Sequence, residues 1–580
     1  MPNQASSAKR LSVTSSILLL AIFFIYCGVW IGNNRGLLFD SKLHNEDVRS
    51  HVFPFHRFGP GKLLNNDPIA NERLSMDPIG VRLLYRILVP IIGIYTSPKV
   101  VQALCLLCIF IGAFILIKSR EGGLASGVIF IFLFLHTPFI MLMTAGGLPR
   151  NFAFPLLFLW GAGAIVNNKT ARFTAILVSS LMYPQATVIL LAAEGLSTLW
   201  SCVRKKSEFS IFCFKHYALL VIGCIVIITF YIFVTKSDGN VYTLSKAEEA
   251  PVFSEKGKYS VIPRGIPLRG YVHRLTLPFL FSGQKILFGN DSTNEEKYHN
   301  QAYIIICFLL FLTLVGISPP PKQAFILLIA VIISYALARM FAFRLYLPGR
   351  YIQFGMPVVT ILLTTNALGK ILPRLNKTSR VTIRNFVSCS FVVFLCLFRG
   401  NGIVPNIGAN IDQRTQAELY DFIRSLPKDV RFANHPADGI GIPFWTGRAT
   451  MDNYETLLPW FENSWKRQVQ RTQDTFRALY ATDTHSFLSY CQNYRITHLF
   501  LSRTRYNSNF KETALLYYPS GKKRWKIFEP FKSYCVSFLE PIEREDLLLA
   551  NPPEDAIIYS KGDLFILDVK CFYTILNTKK

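Results

Sequence analysis

Charge is scarce in this chain. Only 17% of its 580 residues are Asp, Glu, Lys or Arg, against roughly 25% in soluble globular proteins. Acids are the rarer kind, 36 against 62 bases. This composition excludes a disordered chain, a collagen and an ordinary soluble enzyme. No Gly-rich phosphate loop, dinucleotide fingerprint or zinc-type spacing of Cys and His occurs, so nucleotide and zinc chemistry have no motif to rest on. No internal repeat is apparent. Most of the 12 Cys lie in apolar stretches, including Cys105-x-x-Cys108, a packing pair rather than a redox motif. Cys491, Cys535 and Cys571 fall in the polar C-terminal part, where one disulfide with one thiol left over is an option.

What is abundant is apolar length. Half of the chain (51%) is apolar, with 48 Phe and a mean hydropathy of +0.31. A hydrocarbon core of ~30 Å needs about 20 such residues in a row. Ten apolar stretches are visible: Leu11–Ile31, Val100–Ile117, Gly123–Met143, Phe152–Val166, Arg172–Cys202, Tyr217–Val234, Ala302–Ile317, Ala324–Phe343, Ile352–Leu368 and Val381–Phe398. The first continues bulky through Val29-Trp30-Ile31 and reads as a signal anchor, not a cleaved leader.

Sidedness follows the short basic loops. With Lys9 and Arg10 inside, Lys118 and Arg120, then Lys169 and Arg172, also fall inside. A single span over Arg172–Cys202 would put Arg204, Lys205 and Lys206 outside. Tyr183-Pro184 interrupts that stretch, so two short helices folded back on themselves return the cluster inside. Each arm of ~15 residues reaches only ~22 Å, so the turn must line a cavity or be buried in protein. Eleven crossings result, with the N-terminus cytoplasmic and the C-terminus outside.

The expected fold is therefore a polytopic α-helical membrane domain over residues 1–400, with outer loops 33–99 and 236–301, followed by an extracytoplasmic α/β domain over 401–580. In the latter, Gln413–Ser425 and Trp460–Tyr490 read as helix, and Val430–Ala433, Thr497–Ser502 and Leu564–Val569 as strands. Asn434-His435-Pro436 and Ile442–Arg448 read as structural turns that could also face the membrane cavity. The basic residues are dispersed between spans, which suits lipid headgroups and argues against nucleic acid.

Chemistry-bearing residues collect at the outer face. The run His44–Phe58 interleaves Glu46, Asp47, Arg49, His51, His56 and Arg57 with aromatics just after the first span. At helical spacing, Asp47, Ser50 and His51 share one face, and Val48, Val52 and Phe55 another. Further on, Arg150 closes the turn Gly146–Arg150, Tyr183 and Gln185 flank the hairpin tip, and Arg344, Arg350 and Tyr351 lie in a third outer turn. Positive charge in short outer turns runs against the inside rule and is retained where an anion must be held. Arg150, Arg344 and Arg350 are thus phosphate candidates. Asp67-Pro68 and Asp77-Pro78 read as helix starts.

A carboxylate and arginines over a membrane cavity suit sugar transfer from a lipid phosphate. The first span, the Glu46-Asp47 pair early in a long outer loop, the amphipathic segment behind it and the Leu181-Met182-Tyr183-Pro184 turn resemble the GT-C class of integral-membrane glycosyltransferases. The outer turns look like those of an uncharacterised bacterial subgroup. The resemblance implies a polyprenyl-phosphate-linked sugar donor, transfer outside a bacterial inner membrane, Asp47 as the catalytic acidic residue with Glu46 beside it, and a divalent cation as an optional cofactor. Two other readings stay open: a transporter or flippase of a lipid-linked or anionic substrate, and a non-catalytic envelope scaffold. Sugar, acceptor and protein partners are not specified by the residues.

Overall fold

Prolines and capping side chains cut the apolar stretches into helices. The computed structural model describes residues 2–118, 123–205, 222–223, 226, 241–254, 256–258, 322–341, 344–345, 347–370, 382, 410–451, 453–516 and 527–578. Helix α1 (Pro2–Phe39) runs past Ile31, where the apolar stretch was expected to end. Strand β1 (Leu43–Asn45), the single turn α2 (Val48–His51), α3 (Pro68–Ser75) and α4 (Ile79–Ile92) make up the first loop. The Asp67 carboxylate accepts from Ala70 N at 2.9 Å and caps α3, with Pro68 in its first turn. Asp77 does not repeat this, because Pro78 occupies the cap position of α4 and no side chain caps that helix. Helix α4 leaves Ile79, Leu83, Ile87 and Ile91 exposed at every fourth position, the outward stripe of a helix lying on a lipid surface.

The bundle continues with α5 (Ser97–Ile117), α6 (Gly123–His136), α7 (Pro138–Thr144), α8 (Ala153–Val166), α9 (Lys169–Met182) and α10 (Pro184–Lys205). After the short α11 (Leu244–Glu249) come α12 (Lys322–Met340) and α13 (Pro348–Lys370). The expected span Gly123–Met143 is two helices. Thr137 is extended, at φ −94° and ψ 100°, the conformation that a following proline imposes. Among the described residues, Ser16–Phe39, Ser97–Ile117 and Lys322–Met340 are long and apolar enough to cross a membrane. Leu107 and Phe114 on α5, and Ile332 and Met340 on α12, are exposed, whereas Phe130, Phe154, Phe158 and Trp160 fill the interior. Apart from residues 222–223, 226 and 382, the stretches Tyr217–Val234, Ala302–Ile317 and Val381–Phe398, and with them the tally of eleven crossings, lie outside the described residues.

Helices α9 and α10 fold back on each other about Tyr183. Arg172 and Glu194 stand eleven residues to either side of it and meet at 2.6 Å. Glu194 is buried and also accepts from Trp160 Nε1 at 3.1 Å. This charge inside the helical body is therefore a structural clamp. The hairpin tip is fixed from outside by α4: a Cβ on Gly80 would lie 2.7 Å from the Leu181 carbonyl oxygen. Backbone cannot yield there as a flexible side chain would. Gly80→Ala should lower the stability of the full chain by about 1–3 kcal/mol, read as a fall in Tm in detergent. An unchanged Tm would mean that the two backbones do not touch.

After β2 (Asn410–Asp412) the chain becomes mixed α/β: α14 (Ala417–Ser425), β3 (Arg431–Asn434), α15 (Ile442–Thr446), β4 (Ala449–Thr450), α16 (Glu462–Leu479), α17 (Thr484–Tyr494), β5 (His498–Ser502), α18 (Phe531–Leu539), β6 (Ile557–Lys561), β7 (Leu564–Asp568) and α19 (Val569–Thr578). The sheet order is β4-β3-β5-β7-β6. β3 is parallel to β4 and β5, and β7 is antiparallel to β5 and β6. The stretch Trp460–Tyr490, expected as continuous helix, is split into α16 and α17, because Asp483 accepts from Ser486 N at 2.7 Å and starts a new helix. Cys491 and Cys535 are buried free thiols and Cys571 an exposed one, so the three form no disulfide.

The first loop is bolted to this C-terminal region. β1 pairs antiparallel with β2, Glu72 binds Arg471 through contacts of 2.7 and 3.1 Å, and Asp40 meets Arg414 at 3.0 Å. The turn Ile442–Arg448 is part of this joint. Phe444 and Trp445 share a core with Val52 and Phe55, and their carbonyls accept from His56 Nε2 at 2.7 Å and Tyr95 Oη at 2.6 Å.

Candidate functional site

Docking of the two parts encloses a cavity of about 270 Å³ at the hairpin tip. Its walls come from distant segments. Asp47 and His51 bracket α2, Arg73 projects from α3, and Asp77 precedes α4. Arg150 sits in the turn that opens α8, Tyr183 and Gln185 at the hairpin, and Arg350 in the first turn of α13. Lys258 and Glu455 complete the polar side, and Met76, Leu148, Leu347, Leu458, Trp460 and Phe461 the apolar one. The cavity is thus amphipathic, with Arg73, Arg150, Lys258 and Arg350 as its cations.

Most of these charges are held in place. Arg150 Nη2 contacts Asp47 Oδ2, and Arg350 Nη1 donates to Gln353 Oε1 at 3.1 Å while its guanidinium lies 5.7 Å from the Phe354 ring centre. Lys258 Nζ donates to the carbonyls of Tyr454, Glu455 and Leu457, and burial pushes its pKa down to about 8. Arg73 Nη2 donates to His51 Nδ1. Because a guanidinium cannot accept, the His51 proton must sit on Nε2. Burial, then Arg73 and the other cavity cations, hold His51 well below its ordinary pKa, so it is neutral. Arg73 Nε, Asp77 Oδ2, Arg150 Nε and Gln185 Oε1 are buried without partners among the described residues. Buried polar atoms rarely stay unmatched, and four on one cavity wall mark where a polar ligand would be held.

Asp77 is the unusual acid. Burial raises its carboxyl to about 6, against the opposing pull of Arg73 and Arg82. A folded pKa above the unfolded one favours the fold below pH ~4, and that contribution is lost as pH rises through about 6. Asp77→Asn, which cannot ionise, should therefore raise stability most above pH 6, by an amount approaching about 3 kcal/mol, read as a higher Tm. The gain should vanish below pH ~4. Equal melting temperatures for wild type and variant at pH 7.5 would show that Asp77 is not desolvated.

Of the residues singled out in the sequence, Asp47, His51, Arg150, Tyr183, Gln185 and Arg350 meet in this cavity. The others lie elsewhere. Glu46 turns to Arg49 at 2.7 Å, and Arg49 lines a different pocket. His56 is buried in the joint, and burial takes its pKa down to about 4. Arg57 closes its own loop onto the carbonyls of Pro54 and Leu64 at 3.2 and 3.1 Å. Arg344 is exposed outside the cavity. Tyr351 is fully buried, its hydroxyl donating to Leu345 O at 2.7 Å. His435 faces neither the cavity nor solvent, since Nε2 donates to Ala514 O at 3.0 Å and Nδ1 accepts from Ala437 N at 3.2 Å. Sequence reasoning missed Arg73, Asp77, Lys258 and Glu455. The Asp-Pro step at Asp77 was the one local signal, and it pointed to capping.

Among the described residues the expected carboxylate pair does not form a metal site. Glu46 and Asp47, the expected pair, are each engaged by an arginine and turned apart. Among the described residues no group of three or more His, Cys, Asp or Glu could hold an ion.

No family model matches the chain, and no curated protein matches its sequence. Solved structures do match, distantly. The chain is similar to ArnT from Cupriavidus metallidurans in the apo state at 12% identity, with 88% of this chain and 96% of that one covered and a TM-score of 0.36. It is also similar to the oligosaccharyltransferase of Archaeoglobus fulgidus in the apo form, at 10% identity, 86% and 70% coverage and a TM-score of 0.41. The complex of AglB from the same organism with an inhibitory peptide and a dolichol-phosphate matches at 11% identity, 87% and 70% coverage and a TM-score of 0.36.

Proposed function

We propose that the chain is a membrane glycosyltransferase of the GT-C kind, transferring a sugar from a polyprenyl-phosphate-linked donor to an acceptor hydroxyl on the outer side of a bacterial inner membrane. The observation that carries this reading is the composition of the cavity, where four cations stand with three carboxylates, the half-exposed Asp47 among them, beside an apolar wall. Arginines suit a phosphate bidentately, and the apolar wall suits the first part of a lipid chain.

In this reading the acceptor oxygen attacks the anomeric carbon and the bond from that carbon to the phosphate oxygen breaks. The acceptor proton passes to Asp47, general-base work, and the polyprenyl phosphate leaves against Arg150 and Arg350, which stabilise its charge. The Arg150–Asp47 contact gives the steps an order. Arg150 covers the oxygen that would take the proton until a donor phosphate competes for the guanidinium and releases it. The basic clusters at Lys118, Lys169, Arg172 and Arg204 support a cytoplasmic N-terminus, and residues 401–580 are then an extracytoplasmic domain.

The test is binding of a polyprenyl phosphate to the full chain in nanodiscs. Arg150→Met and Arg350→Met should each weaken it about tenfold. Affinities that neither substitution changes would remove the phosphate from this cavity and the reading with it.

A further inference from the structure

A second cavity, of about 440 Å³, opens in the C-terminal region. Its position follows from the order of the sheet. The chain leaves β3 for β4 on one side, then returns across β3 to reach β5 on the other, both pairs being parallel. Connections that part in this way leave a crevice at the carboxyl ends of the strands, and ligands of open α/β sheets bind at such points. The cavity lies there, walled by Ala437–Ile442 after β3 and by Ser502 and Thr504 at the end of β5.

The lining describes a ligand. Ser502 Oγ donates to Thr504 Oγ1 at 3.1 Å, and Thr504 Oγ1 to Asp563 Oδ2 at 3.4 Å. This chain of hydroxyls ends on an exposed carboxylate that can accept from further hydroxyls. Tyr420 and Phe500 supply aromatic surface, and Arg49 and Lys561 stand on the same wall as cations, each paired with an acid, Glu46 and Glu418, for which a ligand's acid group would compete. Asp438, also in the wall, is engaged by Arg505 through contacts of 2.8 and 3.0 Å, so its charge is already compensated. Hydroxyl and carboxylate groups exchanging hydrogen bonds beside an aromatic face match a sugar ring, and the two cations add a preference for an acid. The volume falls in the range of small-molecule sites.

We propose that this crevice is a second binding site, for a single sugar unit that carries a carboxylate or a phosphate. Its wall shares an element with the first cavity. Arg49 reaches the crevice from α2, the four-residue helix whose neighbouring Asp47 and final His51 line the other cavity. Arg49 is held by Glu46 at 2.7 Å, and an acid in the crevice competes with Glu46 for that guanidinium. The proposal rests on the lining of the crevice and does not require the transferase reading.

The experiment is calorimetric titration of the full chain in nanodiscs, in the Asp47→Asn background so that no turnover enters the signal. Glucuronate, glucose 1-phosphate, glucose and inorganic phosphate are the probes. At least one of the two sugar acids should bind about tenfold more tightly than glucose, and Lys561→Glu should weaken it about tenfold. Lys561 is 63% exposed, so the substitution spares the fold, which an unchanged Tm verifies. Lys428→Glu, at the opposite end of the sheet, should leave the affinity unchanged. Glucose binding as well as the acids, inorganic phosphate binding as well as glucose 1-phosphate with glucuronate silent, no binding at all, or indifference to Lys561→Glu would each overturn the proposal.

Discussion

Asp47→Asn should lower sugar transfer by about 10²–10⁴-fold without weakening polyprenyl phosphate binding, since the phosphate loses a charged competitor for Arg150. The asparagine keeps the size of the side chain and its oxygen for Arg150, so the wall of the cavity survives. What is lost is an atom able to carry away the acceptor proton. The measurement is complementation of a deletion strain at matched membrane abundance, with envelope glycans and lipid-linked sugars followed by mass spectrometry. Accumulation of a lipid-linked precursor in the variant would identify the donor. Full restoration of the glycan profile would show that Asp47 is not the base and would favour a scaffold or transport role. Asp77, which lines the same cavity, is the natural comparison. Asp77 is buried, and its carboxyl near 6 is mostly ionised at neutral pH, so it too can take up a proton; transfer that survives Asp77→Asn but not Asp47→Asn assigns the base to Asp47.

The two groups of site residues differ in how local their determinants are. Tyr183, Gln185, Arg150 and Arg350 were legible because each lies at the outer end of a helix whose limits proline and hydropathy define: Pro184, Pro149 and Pro348 open α10, the turn before α8, and α13. Once the hairpin is folded about Tyr183, these ends share one face. The strands β3, β5 and β7 were legible for a similar reason, as short apolar runs between turn residues. Glu46 and Asp47 were not separable, because a helix of a single turn sends adjacent side chains in different directions, one to Arg49 and one to Arg150. Arg344 and Arg350 share a turn, and only the start of α13 at Pro348 decides which one reaches the cavity. Arg73, Lys258 and Glu455 could not be found from any window, since they enter the site through the β1–β2 pairing, the Glu72–Arg471 contact and the three carbonyls that hold Lys258. Those contacts join segments hundreds of residues apart. Periodicity reports which face of an element is buried, not which distant element buries it.

Arg505→Met should destabilise the C-terminal region by about 3–5 kcal/mol. Arg505 is almost wholly buried; it binds both oxygens of Asp438 and donates to the carbonyls of Thr513 and Leu516. Burial alone would raise the Asp438 pKa, but the charge and hydrogen bonds of Arg505 more than offset it and hold the carboxyl below its usual range. Methionine fills most of the volume but strands a carboxylate beside two carbonyls that have lost a donor, and uncompensated buried charge is costly. The sign of the pH effect follows. A carboxyl whose folded pKa is lowered stabilises the fold above its unfolded value and loses that contribution as pH falls through the folded one, so wild type and variant should converge in acid. The double variant Arg505→Met/Asp438→Asn removes the stranded charge and should recover part of the loss, a coupling that a double-mutant cycle reads directly. Pulse proteolysis of the full chain in detergent, cleaving after the C-terminal region opens, measures all three. Because Asp438 also lines the second crevice, Arg505→Met should abolish sugar-acid binding there even at temperatures where the fold persists: the freed carboxylate would repel the ligand's acid. A variant as stable as wild type would mean that Asp438 and Arg505 are solvated, and the compensated floor on which that crevice depends would be lost with them.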